Sequence, residues 1–172
     1  MFNTPTTSTD APASRSEKAR HIADFLQSQF SGVLCTVDPQ GEPHGAVIYY
    51  AADDHFSIVF STKSGTRKSD NLQRHDRLSF VVYDVSSQTT LEIQGVAEEM
   101  TEVHEAQTVF ASIFKISEQH SEVHIPPVAK LMAGSYVAYR VRPVRISMAV
   151  FARPAAGDPQ TIYEVLEGDE LR

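Results

Sequence analysis

The run Phe60-Ser61-Thr62-Lys63-Ser64-Gly65-Thr66-Arg67-Lys68-Ser69-Asp70-Asn71-Leu72 sets hydroxyls, a glycine and two adjacent cations between a strand end and a helix start. A phosphate monoester is held by such a set: free amides at a helix N-terminus, short hydroxyl donors, and charge-assisted bonds from arginine and lysine. Gly65 would let the backbone approach the ligand closely. Between positions 63 and 77, Lys63, Arg67, Lys68, Arg74 and Arg77 outnumber Asp70 and Asp76, although the chain as a whole carries a net charge of -7. A local positive field in an acidic chain points to a small anion, and the overall charge argues against nucleic-acid binding. The same spacing also describes a solvated polar turn ahead of an exposed helix face, and the residues alone leave both readings open.

Other reactive side chains carry weaker signals. His120 and His124 would share a face if helical, as zinc or haem ligation requires, but Pro126-Pro127 follows and favours a solvated loop. His44 and His55 flank strands and read as surface or packing residues rather than proton carriers. Cys35, the single cysteine, lies between Leu34 and Thr36 and reads as a buried strand residue.

The elements that position these residues follow from periodicity. A helix is expected from Ser14-Arg15-Ser16-Glu17, a capping-box pattern, to about Phe30, with Ala19, Ile22, Ala23, Leu26 and Phe30 on one face and Gly32 ending it. Strands are expected at 33–38, 43–52 and 55–62, joined as a meander through the turns at Pro39-Gln40-Gly41 and Asp53-Asp54. A short helix starts near Gly65-Thr66, anchored by Leu72. Strands return at 78–84 and 90–100. Thr101 caps a helix whose core stripe is Val103, Ala106, Val109, Phe110, Ile113 and Phe114. A turn of helix at 128–132 and strands at 136–141 and 145–151 complete the pattern. Tyr49 and Tyr50 are neighbours on a strand, so they face opposite ways.

The fold class expected is therefore mainly β with peripheral helices (α+β), with six to seven antiparallel strands in which a barrel is favoured over an open sheet. At 172 residues one domain is expected at 14–152, with a disordered tail at 1–13 and an extension at 153–172 whose Ile162, Val165 and Leu166 dock on a partner. No apolar run approaches the roughly 20 residues of a membrane span. The first residues lack the pattern of a signal peptide, so a cytoplasmic location is expected.

The phosphate-type segment, with Gly41-Glu42-Pro43 before it and Leu91-Glu92-Ile93-Gln94-Gly95-Val96-Ala97 after it, resembles the pyridoxamine 5'-phosphate oxidase-like family. The resemblance covers roughly positions 32–100, with a weaker echo at Tyr139-Arg140-Val141-Arg142-Pro143-Val144-Arg145-Ile146. It implies a six- to seven-stranded antiparallel split β-barrel, FMN as cofactor, a homodimer with flavin at the subunit interface, and a small-molecule substrate; charge and hydropathy add that no nucleic acid or membrane partner is expected. By position, Ser61, Thr62, Thr66, Arg67 and Lys68 match the family's FMN-phosphate contacts. Val47, Ile48 and Tyr49 match the backbone beside the isoalloxazine ring. Gln88 or Thr90 matches the position that reaches the flavin from the other subunit.

The chain departs from true pyridoxamine phosphate oxidases after Ile146. It reads Ser147-Met148-Ala149-Val150-Phe151 and has no tryptophan, where those enzymes carry a tryptophan and an Arg/His substrate motif. The expectation is a flavin-dependent oxidoreductase acting on another small molecule. A deazaflavin-dependent reductase and a non-catalytic flavin- or haem-binding module are the alternatives.

Overall fold

The computed structural model describes residues 16–120, 135–151 and 163–171. The expected tail at 1–13, His124, the turn at 128–132 and Ile162 lie outside the described residues. The chain forms α1 (Glu17–Ser28), β1 (Ser31–Val37), β2 (Pro43–Tyr49), β3 (Ala51–Ala52), β4 (Ile58–Lys63), α2 (Arg67–Arg74), β5 (Arg77–Asp84), β6 (Thr89–Glu99), α3 (Val103–His120), β7 (Tyr136–Val150) and β8 (Tyr163–Glu167), with a 3-10 turn at Gly168–Leu171.

The strands form one antiparallel sheet in the order β2-β1-β5-β6-β7-β4-β3, with β8 added to β7. β2 lies at one end of this order and β3 at the other, yet the two are a single stretch of chain interrupted at Tyr50. The two ends of the sheet are thus tied together by one residue, and the sheet curls into a split barrel. Tyr50 points inward and is 1% exposed. Its backbone N–H donates to the Phe30 carbonyl at 3.1 Å and its hydroxyl donates to the Leu26 carbonyl at 2.7 Å, fixing the seam to the end of α1.

This closure corrects the expected meander. β1 and β2 do pair as a hairpin, in register from Ser31 opposite Tyr49 to Val37 opposite Pro43. β4 instead pairs with β3 and β7, because the chain crosses the seam at Tyr50 before it reaches β4. The expected strand at 43–52 is split at the same residue.

The two expected strands at 136–141 and 145–151 are one long strand. β6 pairs with β7 along this length, and the register shifts where Gln94 opposes Arg145 and Gly95 opposes Pro143. Proline has no N–H to give the ladder, so a bulge there lets the strand continue, with Val144 as the extra residue. On the other side of β7, β4 pairs as far as Val141 and β8 takes over from Arg145. The C-terminal strand accordingly docks on its own chain rather than on a partner, with Leu166 fully buried.

Helix α1 starts after Ser16, whose hydroxyl accepts from Ala19 N–H at 3.2 Å, and buries Ala19, Ile22, Ala23 and Leu26. It ends at Ser28, two residues short of the expected limit, because Gln29 is already extended. Gly32 does not end the helix. It sits within β1, where a Cβ would come within 2.5 Å of the Phe80 ring.

The barrel interior is filled by Leu34, Ile48, Tyr50, Phe60, Phe80, Leu91, Ile93 and Met148, with α1 and Leu166 closing it. Each such fully buried side chain contributes about 1.5–3 kcal/mol relative to exposure. A second cluster, Val109, Ile113 and Ala138, lies under α3. Phe110 and Phe114 are half-buried at its margin, Phe110 stacking on Tyr136 at 4.3 Å. Val103 is 70% exposed and stands outside the core stripe expected of it.

Candidate functional site

The end of β4, the turn at Ser64-Gly65 and the first turn of α2 build the site. Gly65 takes φ +70°, a left-handed conformation that glycine adopts without a Cβ penalty. Thr66 is the N-cap of α2, but its hydroxyl donates to the Lys63 carbonyl at 2.9 Å and does not cap the helix. The first-turn amides of α2 are therefore left without a side-chain acceptor, next to Arg67 and Lys68. Such amides, with the positive end of the helix dipole, favour an anion.

The rest of α2 is clamped to the barrel. Ser69, Asn71 and Leu72 are buried, and the Asn71 amide donates to the Thr36 hydroxyl on β1 at 3.0 Å. Two cations are thereby held side by side in different surroundings. Arg67 is 54% exposed and its Nη2 donates to Asp38 Oδ2 at 3.1 Å. The Lys68 ammonium is half-buried, pairs with no carboxylate among the described residues, and is pushed below its ordinary pKa by loss of solvent. A charge in that position lacks the counter-ion that would offset its desolvation.

Ser61 and Thr62 are both buried, at 6% and 2% exposure. As neighbours on β4 they face opposite sides of the sheet, so their side chains do not converge. The Ser61 hydroxyl is buried with no hydrogen-bond partner among the described residues. An unsatisfied buried hydroxyl is costly, and a ligand polar group would satisfy it.

On β2, Val47 is 75% exposed and Ile48 is buried. Tyr49 is half-buried, stacks on Phe30 at 6.3 Å and shares the outer face with Val47, while Tyr50 faces inward as expected. Gln88 and Thr90 lie at the other end of the sheet. β5 runs from Arg77, near α2, to Asp84, which opposes Thr89; that is a separation of roughly 23 Å at the usual rise per residue. Within one protomer these two residues are not brought to the Arg67 and Lys68 site.

The remaining candidates fall elsewhere. Cys35 is half-buried on the outer face between Gly45 and Ser79 rather than inside the core. His55 is exposed, and His44 is half-buried with its Nδ1 unpartnered. His120 ends α3 and stacks on Phe30 at 3.7 Å. Among the described residues no group of three His, Cys, Asp or Glu side chains could hold a metal ion, and no helix is long and apolar enough to cross a membrane.

Sequence reasoning missed Asp38, Asn71 and Thr36. The run Asp38-Pro39-Gln40-Gly41 signalled a turn, but not that its carboxylate reaches a helix 29 residues further on. Asn71 was passed over because a polar residue on a short helix ordinarily faces water.

Fold and site together define a split-barrel protein with a helix start that lacks a side-chain cap and is flanked by two adjacent cations. A family model described as pyridoxamine 5'-phosphate oxidase matches residues 19–149, and the chain belongs to that family. A conserved hypothetical protein of Mycobacterium tuberculosis is 30% identical in sequence, with a TM-score of 0.61 over 76% of this chain and 82% of that one. An FAD-binding protein of Mesorhizobium loti shares the fold at 15% identity, with a TM-score of 0.57 over 76% of this chain and 90% of that one. The 5a,11a-dehydrotetracycline/5a,11a-dehydrooxytetracycline reductase of Streptomyces rimosus is 34% identical over 64 residues, 36% of this chain and 45% of the reductase. The chain thus spans less than half the length of that curated relative.

Proposed function

We propose that this protein is a cytoplasmic, homodimeric FMN-binding oxidoreductase acting on a small molecule other than pyridoxine phosphate. The observation that carries the reading is the half-buried Lys68 ammonium without a carboxylate, beside the uncapped first turn of α2. A phosphate monoester supplies the missing counter-charge and the acceptors for those amides at once. Ser61, whose hydroxyl has no partner among the described residues, offers it to the ribityl end of the same ligand, and Thr66 borders it, while Thr62 faces the other side of β4. The β2 backbone at Val47, Ile48 and Tyr49 then lies along the ring, with Val47 presenting an exposed apolar surface to it. When bound, the flavin supplies the electron transfer; the chain's residues anchor, orient and shield it. The reductase relative and the FAD-binding neighbour support redox chemistry as the use of the site.

The dimer is read from the outer face of β2, β1 and β5. Val33 is 38% exposed, Val37 41%, Val47 75% and Tyr83 56%, and Val33 lies opposite both Val47 and Val81. A twofold axis through this face would bring Gln88 and Thr90 of one copy towards the flavin of the other, which resolves their distance from the site within a protomer.

The test is a fluorescence titration with FMN and with riboflavin. FMN should bind far more tightly than riboflavin, and Lys68→Ala should cost about 2 kcal/mol, roughly thirtyfold in Kd. Arg67→Ala should cost about 1 kcal/mol, less because the guanidinium is more than half exposed. Equal affinity for the two flavins would overturn the phosphate anchor. An absorption spectrum of the purified protein with deazaflavin or haem bands would replace FMN by that ligand.

A further inference from the structure

We propose that Asp38 is a positioning residue for the anion site: it fixes the Arg67 guanidinium before the ligand arrives. The inference rests on the reading of the α2 start as a phosphate anchor. Asp38 follows β1 directly and begins the hairpin to β2. Its Oδ1 accepts from the backbone N–H groups of Gln40 at 3.0 Å and Glu42 at 2.9 Å. Its own N–H donates to the Glu42 carbonyl at 3.0 Å, and its carbonyl accepts from Gly41 N–H at 2.9 Å. Every polar group of the residue is thus tied to the turn except Oδ2, and Oδ2 takes Arg67 Nη2 at 3.1 Å. The carboxylate is 16% exposed, whereas the arginine it holds is 54% exposed.

Arg67 is otherwise a long side chain on a solvated rim, with many rotamers to lose when a ligand captures it. A guanidinium presents five N–H donors in a rigid fork, so one bond to Asp38 sets its plane and leaves the others for an incoming oxyanion. Asp38 also places a negative charge behind the arginine. Water and salt weaken both this repulsion and the Asp38–Arg67 attraction, but the ordering of Arg67 also rests on a directed hydrogen bond to a carboxylate locked in the turn. Positioning must outweigh repulsion for Asp38 to aid binding, which the Asp38→Asn variant tests. The hydrogen bonds from the hairpin, Glu42 foremost, and then the Arg67 contact hold the Asp38 carboxyl below its usual pKa, so it stays ionised wherever FMN would bind.

Asp38→Asn separates the two duties of the residue. Asparagine keeps an Oδ1 to accept from Gln40 and Glu42 and so preserves the turn. With that oxygen committed to the turn, the group it presents to Arg67 is the amide NH2, a donor in place of the carboxylate acceptor. FMN affinity should weaken about fivefold, the scale of one partly exposed ion pair, and riboflavin affinity should be unchanged. In an Arg67→Ala background the same substitution should have no effect on FMN, because a residue acting through Arg67 has nothing left to act on. NMR of the ligand-free protein gives an independent readout: the Arg67 side-chain N–H signals should be resolved and slow to exchange in the wild type, and averaged in Asp38→Asn. Tighter or unchanged FMN binding in Asp38→Asn, or an equal loss with and without Arg67, overturns the proposal while leaving the phosphate anchor intact. A wild-type protein that binds neither FMN nor inorganic phosphate removes the anchor itself, and the proposal with it.

Discussion

The side-chain amide of Asn71 donates to the hydroxyl of Thr36 at 3.0 Å, and both residues are buried, at 3% and 1% exposure. This bond joins α2 to β1. The helix has Leu72 as its single buried hydrophobic anchor, so a polar bond between buried groups fixes the azimuth at which its first turn presents Arg67 and Lys68. Two residues with no expected contact to the ligand thereby set the geometry of the site.

Asn71→Leu leaves the Thr36 hydroxyl buried without its donor. It should cost about 1–3 kcal/mol in urea denaturation and weaken FMN binding through displacement of α2. Adding Thr36→Val removes the stranded hydroxyl and should recover part of the stability, since replacing both partners by apolar groups of similar shape is nearly neutral. FMN affinity should recover less than stability. A single variant as stable as the wild type would show that the bond contributes nothing to holding the helix.

Lys68 makes a pH prediction with two opposite signs. Burial lowers its pKa below the ordinary 10.5 in the ligand-free fold. Between that lowered value and 10.5 the unfolded chain binds more protons than the folded one, so the Lys68 contribution to stability of the ligand-free protein rises with pH. FMN needs the ammonium, so its affinity should fall as pH rises through the same window. Tyr50 also titrates at high pH, and burial raises its pKa, which acts against stability there. The Lys68 part is isolated as the difference between wild type and Lys68→Met. The affinity advantage of the wild type over Lys68→Met should shrink as pH rises, while its stability relative to Lys68→Met should increase; parallel changes in both would contradict the assignment of Lys68 as the anion's counter-charge.

The valine face predicts oligomeric state. Val33 and Val47 stand directly opposite each other across β1 and β2 on the outer side of the sheet. Val33→Asp with Val47→Glu places like charges across strands at the centre of the face, where they are unfavourable even before a partner approaches. Light scattering should report a dimer for the wild type and a monomer for the double variant. The monomer should also lose FMN affinity, because it lacks the residues that the other copy contributes. A wild type that scatters as a monomer at micromolar concentration would remove the interface.

The local order of this protein was legible from its sequence. The alternation at Ile58 and Phe60, the helical stripe of α1, and the charge step at Arg67-Lys68 are local signals that each lie within one element, whereas Phe56, expected on the same strand, lies in the turn before β4 with φ +61°. These signals pointed to an antiparallel barrel with peripheral helices and to the segment of hydroxyls and cations at 60–72, while the split form of the barrel was implied by the family resemblance. The tertiary structure alone decided how the sheet closes, because the crossing at Tyr50 depends on Phe30 and Leu26, some 20 and 24 positions before it, whose backbone carbonyls, groups that every residue shares, accept its bonds. It likewise decided that Gly32 is a space-maker beneath Phe80 and not a helix stop, that Arg67 is held by Asp38 while Lys68 meets no carboxylate among the described residues, and that Asn71 is a buried clamp. A sequence states which groups are present, whereas the partner of a charge or a buried hydroxyl is fixed by residues far away in the chain, and pattern has no record of that distance.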